Sequence, residues 1–173
     1  MRITTKVSAG LVAILSLAAG TAQAQVNSAT INATAIVQAP LNVVGATDLD
    51  FGQVLPGVAK AVAVSDATPG TSQAGRFDVT GAADANINLT FTLPVNLVSG
   101  GNTLPIGTWT GYHNDANSAS VGGASFTPSA AATATTMSST GTKFVFVGAT
   151  VSPVTSQAAG TYTGTVQMTV DYF

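Results

Sequence analysis

The chain has no cysteine, no glutamate, one histidine and one tryptophan, and charged residues make up only 7% of its 173 positions. Without cysteine there is no disulfide framework, thiolate metal site, redox pair or cysteine nucleophile. With only five basic residues, no cluster of Lys and Arg is available to neutralise a phosphate backbone, which argues against nucleic acid as a partner. Glu, Lys, Arg and Leu, the strong helix formers, are scarce, so long surface helices are not expected. What fills the chain instead is Thr, Val, Ala, Gly, Ser and Asn, a composition that suits strands and turns. The surface must therefore be rich in hydroxyls and amides, and exposed sheet edges have little charge to protect them.

Only one long apolar run exists, residues 11–19 (LVAILSLAA). It follows Arg2 and Lys6 and precedes Ala22-Gln23-Ala24, the small-x-small pattern that fits signal-peptidase pockets. The run is about half of the roughly 20 residues needed to span a bilayer. Residues 1–24 are thus expected to be an export signal, cleaved after Ala24 to leave Gln25 first. The basic start and short apolar run suit a bacterial exporter, so passage into the periplasm is expected, with no integral membrane segment after cleavage. Removing the signal leaves three basic residues against seven aspartates. Residues 25–173 suit one domain, long enough to bury a core without staples.

Alternating segments recur between turn signals, which predicts an all-β chain. Residues 27–37 place Ala29, Ile31, Ala33, Ala35 and Val37 on one face. Pro40 interrupts, and 41–44 resumes. Residues 47–55 set Leu49, Phe51 and Leu55 inward, with Asp48 and Asp50 outward, before the Pro56-Gly57 turn. Strands are expected at 58–64, 76–80, 86–93, 106–112 and 143–151. A loop is expected at 65–75, and one or two weak strands between 113 and 141. The clearest alternation is the last: Tyr162, Val166, Met168, Val170 and Tyr172 on one face, Thr and other polar residues on the other. Short strands at such spacing predict an immunoglobulin-like β-sandwich.

Few residues suggest chemistry. His113 with Asp115 and nearby serines lacks a positioned nucleophile and an oxyanion hole, so a solvated loop histidine is the expected reading. Asp48 and Asp50 read as an outward polar pair rather than calcium ligands, which are usually gathered in a tight loop. Asn114-Asp115-Ala116-Asn117 has suitable oxygens but no closing Glu. Gly122-Gly123 precedes no helix and reads as a flexible turn, not a phosphate loop. Trp109 and Tyr112 form a candidate sugar-stacking surface, with a core tryptophan the stronger reading. Seven scattered aspartates do not form a hydrolytic pair. No enzyme activity and no cofactor are expected.

The chain ends carry more. Ala159-Gly160-Thr161-Tyr162-Thr163, with Val166, Met168, Val170 and the penultimate Tyr172, resembles the C-terminal strand of chaperone–usher pilus subunits. That family has a glycine fourteenth from the C-terminus and a penultimate tyrosine, the positions of Gly160 and Tyr172. The stretch Asn32-Ala33-Thr34-Ala35-Ile36-Val37-Gln38-Ala39-Pro40 resembles the donor strand of archaic-class subunits. The box Asp48-Leu49-Asp50-Phe51-Gly52-Gln53-Val54-Leu55-Pro56-Gly57 resembles one shared by spore-coat-U-like subunits and a related uncharacterised family of secreted bacterial β-sandwich domains. The likeness to the latter extends over 29–173. Two departures stand out: the spore-coat-U-like cysteines are missing, and the chain ends on a bulky Phe173.

The resemblance implies an incomplete immunoglobulin fold with a groove along the last strand. In such families a periplasmic chaperone fills the groove first, and at an outer-membrane usher the next subunit's N-terminal strand replaces it. It further implies Ala29, Ile31, Ala33, Ala35 and Val37 as donor residues, and Gly160, Tyr162, Val166, Met168, Val170 and Tyr172 along the acceptor. Partners would be other copies or related pilus subunits. The alternative is a self-complemented secreted sandwich that binds glycans or surfaces through Trp109 and Tyr112.

Overall fold

The computed structural model describes residues 27–173; the expected signal at 1–24 lies outside the described residues. The chain divides into one unit that ends at Ala35 and a second, Ile36–Phe173. Residues 27–35 of the first carry no strand and are exposed. The strand expected at 27–37 is therefore not formed, and residues 36–41 of the second unit carry none either. A lone strand of small side chains has no ladder to hold it without a pairing edge.

The second unit is all-β, with twelve strands and no helix among the described residues. They are β1 (Asn42–Thr47), β2 (Lys60–Val62), β3 (Ala67–Thr68), β4 (Ser72–Gln73), β5 (Gly75–Thr80), β6 (Asn86–Thr92), β7 (Asn96–Ser99), β8 (Asn102–Asn114), β9 (Ala124–Phe126), β10 (Thr133–Thr136), β11 (Thr142–Val151) and β12 (Gln167–Tyr172). The larger sheet runs β1-β5-β11-β8-β7, with β2 on β11 and β9 on β8. The smaller runs β10-β6-β12, and β3-β4 is a separate hairpin. Every pairing is antiparallel, as expected of a β-sandwich with inward apolar positions every second residue.

Period two fixes what faces the core. From β6, Ile87, Leu89 and Phe91 meet Val145 and Val147 of β11, Val79 of β5 and Met168 of β12. A second cluster joins Phe51, Val62, Leu104, Ile106, Ala149 and Val151. Each of these larger side chains contributes about 1.5–3 kcal/mol when fully buried. Trp109 is half-buried and packs against both clusters, as a core tryptophan.

The expected strand at 47–55 is mostly absent. Beyond Thr47, which ends β1, a single bridge, Asp50 to Gln73, remains. The Asp50 carboxylate accepts the backbone N–H of Gly52 and of Gly70, each at 2.7 Å. Such side-chain bonds compete with a ladder, and Gly52 turns the chain at φ +58°. Asp50 is thus half-buried and engaged rather than outward, while Asp48 is exposed. Phe51 and Leu49 do face the second cluster, whereas Leu55 is 68% exposed.

Candidate functional site

The last strand is where sequence and architecture meet. The expected single strand over 161–173 is split. Thr163 bridges Val98 of β7, at the edge of the larger sheet, and only Gln167–Tyr172 joins β6 in the smaller one. The segment therefore changes sheets in between, where a Cβ on Gly164 would lie 2.7 Å from Leu97 Cδ2. The alternation survives the split: Tyr162, Val166, Val170 and Tyr172 are half-buried and Met168 is buried, while every Thr, Gln and Asp between them is exposed.

Met168 belongs to the first core cluster, with Val170 and Tyr172 packed against it. Leu41, just before β1, and Val43 within it pack on the same cluster. Among the described residues β12 pairs with β6 on one side only, which makes it an edge of its sheet. The smaller sheet thus ends on a strand with a free row of backbone groups and partly covered apolar side chains, a template for a further strand.

Both tyrosines are tied down. Tyr172 Oη donates to the Ala39 carbonyl at 2.7 Å and accepts the Ala82 N–H at 2.6 Å. It clamps the stretch before β1 and the β5–β6 turn to the end of β12. A Cβ on Gly81 would lie 2.5 Å from that hydroxyl, so any larger residue there would push the hydroxyl aside. Tyr162 packs on the second cluster; its hydroxyl donates to the Ala158 carbonyl at 2.8 Å and accepts from Gln157 Nε2 at 2.7 Å. Gly160 passes so close to β7 that a Cβ would lie 2.6 Å from Ser99 Oγ. Among the acceptor candidates, Met168, Val170 and Tyr172 come together on one cluster, Tyr162 sits on the other, and Val166 is in neither. The donor candidates are in no strand, and Ile31 and Val37 are each 94% exposed.

The polar candidates are placed differently from expectation. His113 is not in a solvated loop. It lies in β8, opposite Val145 of β11, half-buried, with its ring 5.8 Å from Phe126. Burial, then the positive Lys143, push its pKa down, with Asp115 opposing. Asn114 is buried, and its amide nitrogen donates to the Ser118 and Val121 carbonyls. Asp115 accepts from Lys143 Nζ, and Asn117 accepts from Arg76 at 3.2 Å. The calcium-like oxygens are thus committed to protein partners, and no group of three or more His, Cys, Asp or Glu gathers among the described residues. Tyr112 uses its hydroxyl to accept the Gly123 N–H at 2.8 Å, which holds the Gly122-Gly123 turn.

Sequence reading missed β7 and the end of β8. Pro94 and the polar Asn96 and Ser99 at its two ends hid the former. The polar run after Tyr112 hid the latter, where pairing with β11 overrides composition.

The chain matches a domain of unknown function (DUF4402) over residues 41–172. No curated protein matches the chain.

Proposed function

Since the chain belongs to the DUF4402 family, and among the described residues its last strand is a free sheet edge while 27–41 are in no strand, we propose that it is an exported structural subunit of a bacterial surface fimbria or fibrillar coat. Subunits join by strand donation: the segment carrying Ala29, Ile31, Ala33, Ala35 and Val37 adds to the free edge of β12 in a neighbour. The backbone ladder supplies affinity and the alternate side chains supply register. A periplasmic chaperone and an outer-membrane usher are the partners such assembly requires, because an open edge aggregates unless covered in transit.

The observation that carries this reading is the unpaired edge of β12 beside half-covered Val170 and Tyr172. Ile31 and Val37 are the larger knobs, each adding about 1.5–3 kcal/mol on full burial. The edge suits a strand better than a small ligand, since its polar groups are a row of backbone N–H and C=O groups. The test is electrophoresis of the native exported protein with and without heating. A ladder of multimers that collapses to one band on boiling supports strand donation; a monomer under both conditions contradicts it.

A further inference from the structure

The structure holds a buried amine in contact with a carboxylate. Lys143 is the second residue of β11 and shares the inward face of Val145 and Val147. Its side chain is 6% exposed, whereas that of Asp115, just past the end of β8, is 58% exposed. Lys143 Nζ donates to Asp115 Oδ1, its one hydrogen-bond partner among the described residues. An ammonium carries three donors, and among the described residues Asp115 meets one of them. With the carboxylate largely exposed, the ion pair itself contributes little to stability. An amide at the same place carries no charge and one N–H.

We propose that Lys143 and Asp115 join covalently, as an intramolecular isopeptide bond between Nζ and Cγ. The ammonium passes one proton to the carboxylate. The freed Nζ lone pair attacks Cγ, the Nζ–Cγ bond forms, and one Cγ–O bond breaks. The departing oxygen takes a second Nζ proton and leaves as water. One ammonium and one carboxylate thus become one amide and one water, with no oxidant, reductant or outside proton. His113 lines the same cavity of about 240 Å3 as the two reactants. It is a proton carrier between Nζ and the leaving oxygen, favoured in its neutral form by burial. Holding amine and acid in contact raises their effective concentration far above that of free groups, and the open cavity lets the water escape. The link closes the loop that carries β9 and β10, and in a chain without cysteine it does what a disulfide does elsewhere. This inference does not depend on the assembly reading.

The test is a tryptic digest of the purified, denatured full chain, read by mass. After cleavage at Lys60 and Arg76, an unlinked chain yields fragments 77–143 and 144–173. The linked chain yields one fragment, 77–173, lighter by about 18 Da, because acylated Lys143 is not a trypsin site. Asp115→Ala is expected to restore cleavage at Lys143 completely, a readout that does not require the variant to fold. His113→Gln is expected to slow the appearance of the linked fragment at least tenfold; an unchanged rate removes His113 from the chemistry. Complete cleavage after Lys143 in the wild-type chain overturns the proposal. So does a loss of 18 Da carried on fragment 77–143, which would mark dehydration of an aspartate alone.

Discussion

Replacing Tyr172 with phenylalanine removes a single oxygen and tests the clamp at the end of β12. That oxygen serves two backbone groups on distant segments, the Ala39 carbonyl and the Ala82 N–H. Each bond contributes about 0.5–1.5 kcal/mol net, and the ring keeps its packing on the first core cluster. The expected loss is therefore about 1–3 kcal/mol. For a domain of this size that lowers Tm by about 3 °C per kcal/mol, read by circular dichroism and checked by the urea midpoint. Tyr162→Phe is the comparison. Its hydroxyl ties only nearby residues, Gln157 and Ala158, so a smaller loss is expected. Gly81→Ala should act at the same place as Tyr172→Phe, by pushing the hydroxyl away from its partners. If Tyr172→Phe melts within about 1 °C of wild type, the hydroxyl is not a clamp.

Two other positions give independent checks. Gly52→Ala should cost at least about 1–3 kcal/mol. Position 52 has φ +58°, and its Cβ would lie 2.5 Å from the backbone oxygen of Gly70; a wild-type urea midpoint would show that this turn relaxes freely. His113 governs a pH window. Its folded pKa lies below the ordinary 6.5, chiefly through burial. As pH falls below about 6.5 the unfolded chain takes up a proton that the folded chain resists, so stability declines until the folded pKa is passed. Asp50 and Asp66 are held below their ordinary 3.8, by the Gly52 N–H first for Asp50 and by the Ser72 hydroxyl first for Asp66. They remove stability only at more acid pH. Urea midpoints between pH 7.5 and 5 should therefore fall for wild type and stay level for His113→Gln; parallel slopes would contradict the burial of the ring.

The sandwich was legible because its strongest strands carry their own pattern. Ile87, Leu89 and Phe91 alternate over β6, and 143–151 needs only one residue more to become β11. The inward set of the last strand was equally plain from Met168, Val170 and Tyr172. What the residues did not reveal was pairing. Tyr162 and Tyr172 share a period, yet one packs on each core cluster, because the chain changes sheets between them. His113 and Asn114 look like loop residues by composition and are strand residues because β11 lies alongside. Asp50 has the spacing of a strand, but its carboxylate serves Gly52 and Gly70, an arrangement that no local pattern announces. The contact of Lys143 with Asp115 spans 28 positions and has no trace in either neighbourhood.

Strand donation is tested most directly by Ile31→Asp in the full exported chain, with native mass as the readout. Ile31 is 94% exposed in the single chain, so the substitution should leave the melting temperature of the monomer unchanged. In a donor strand the same side chain enters an apolar groove, where an unpaired carboxylate costs several kcal/mol or must take up a proton. Residues two apart share a face, so Thr30→Asp points to solvent and should assemble as wild type does. The account predicts multimers for wild type and Thr30→Asp, and a folded monomer for Ile31→Asp. Multimers of wild-type length from Ile31→Asp, or a monomer that unfolds, would contradict it.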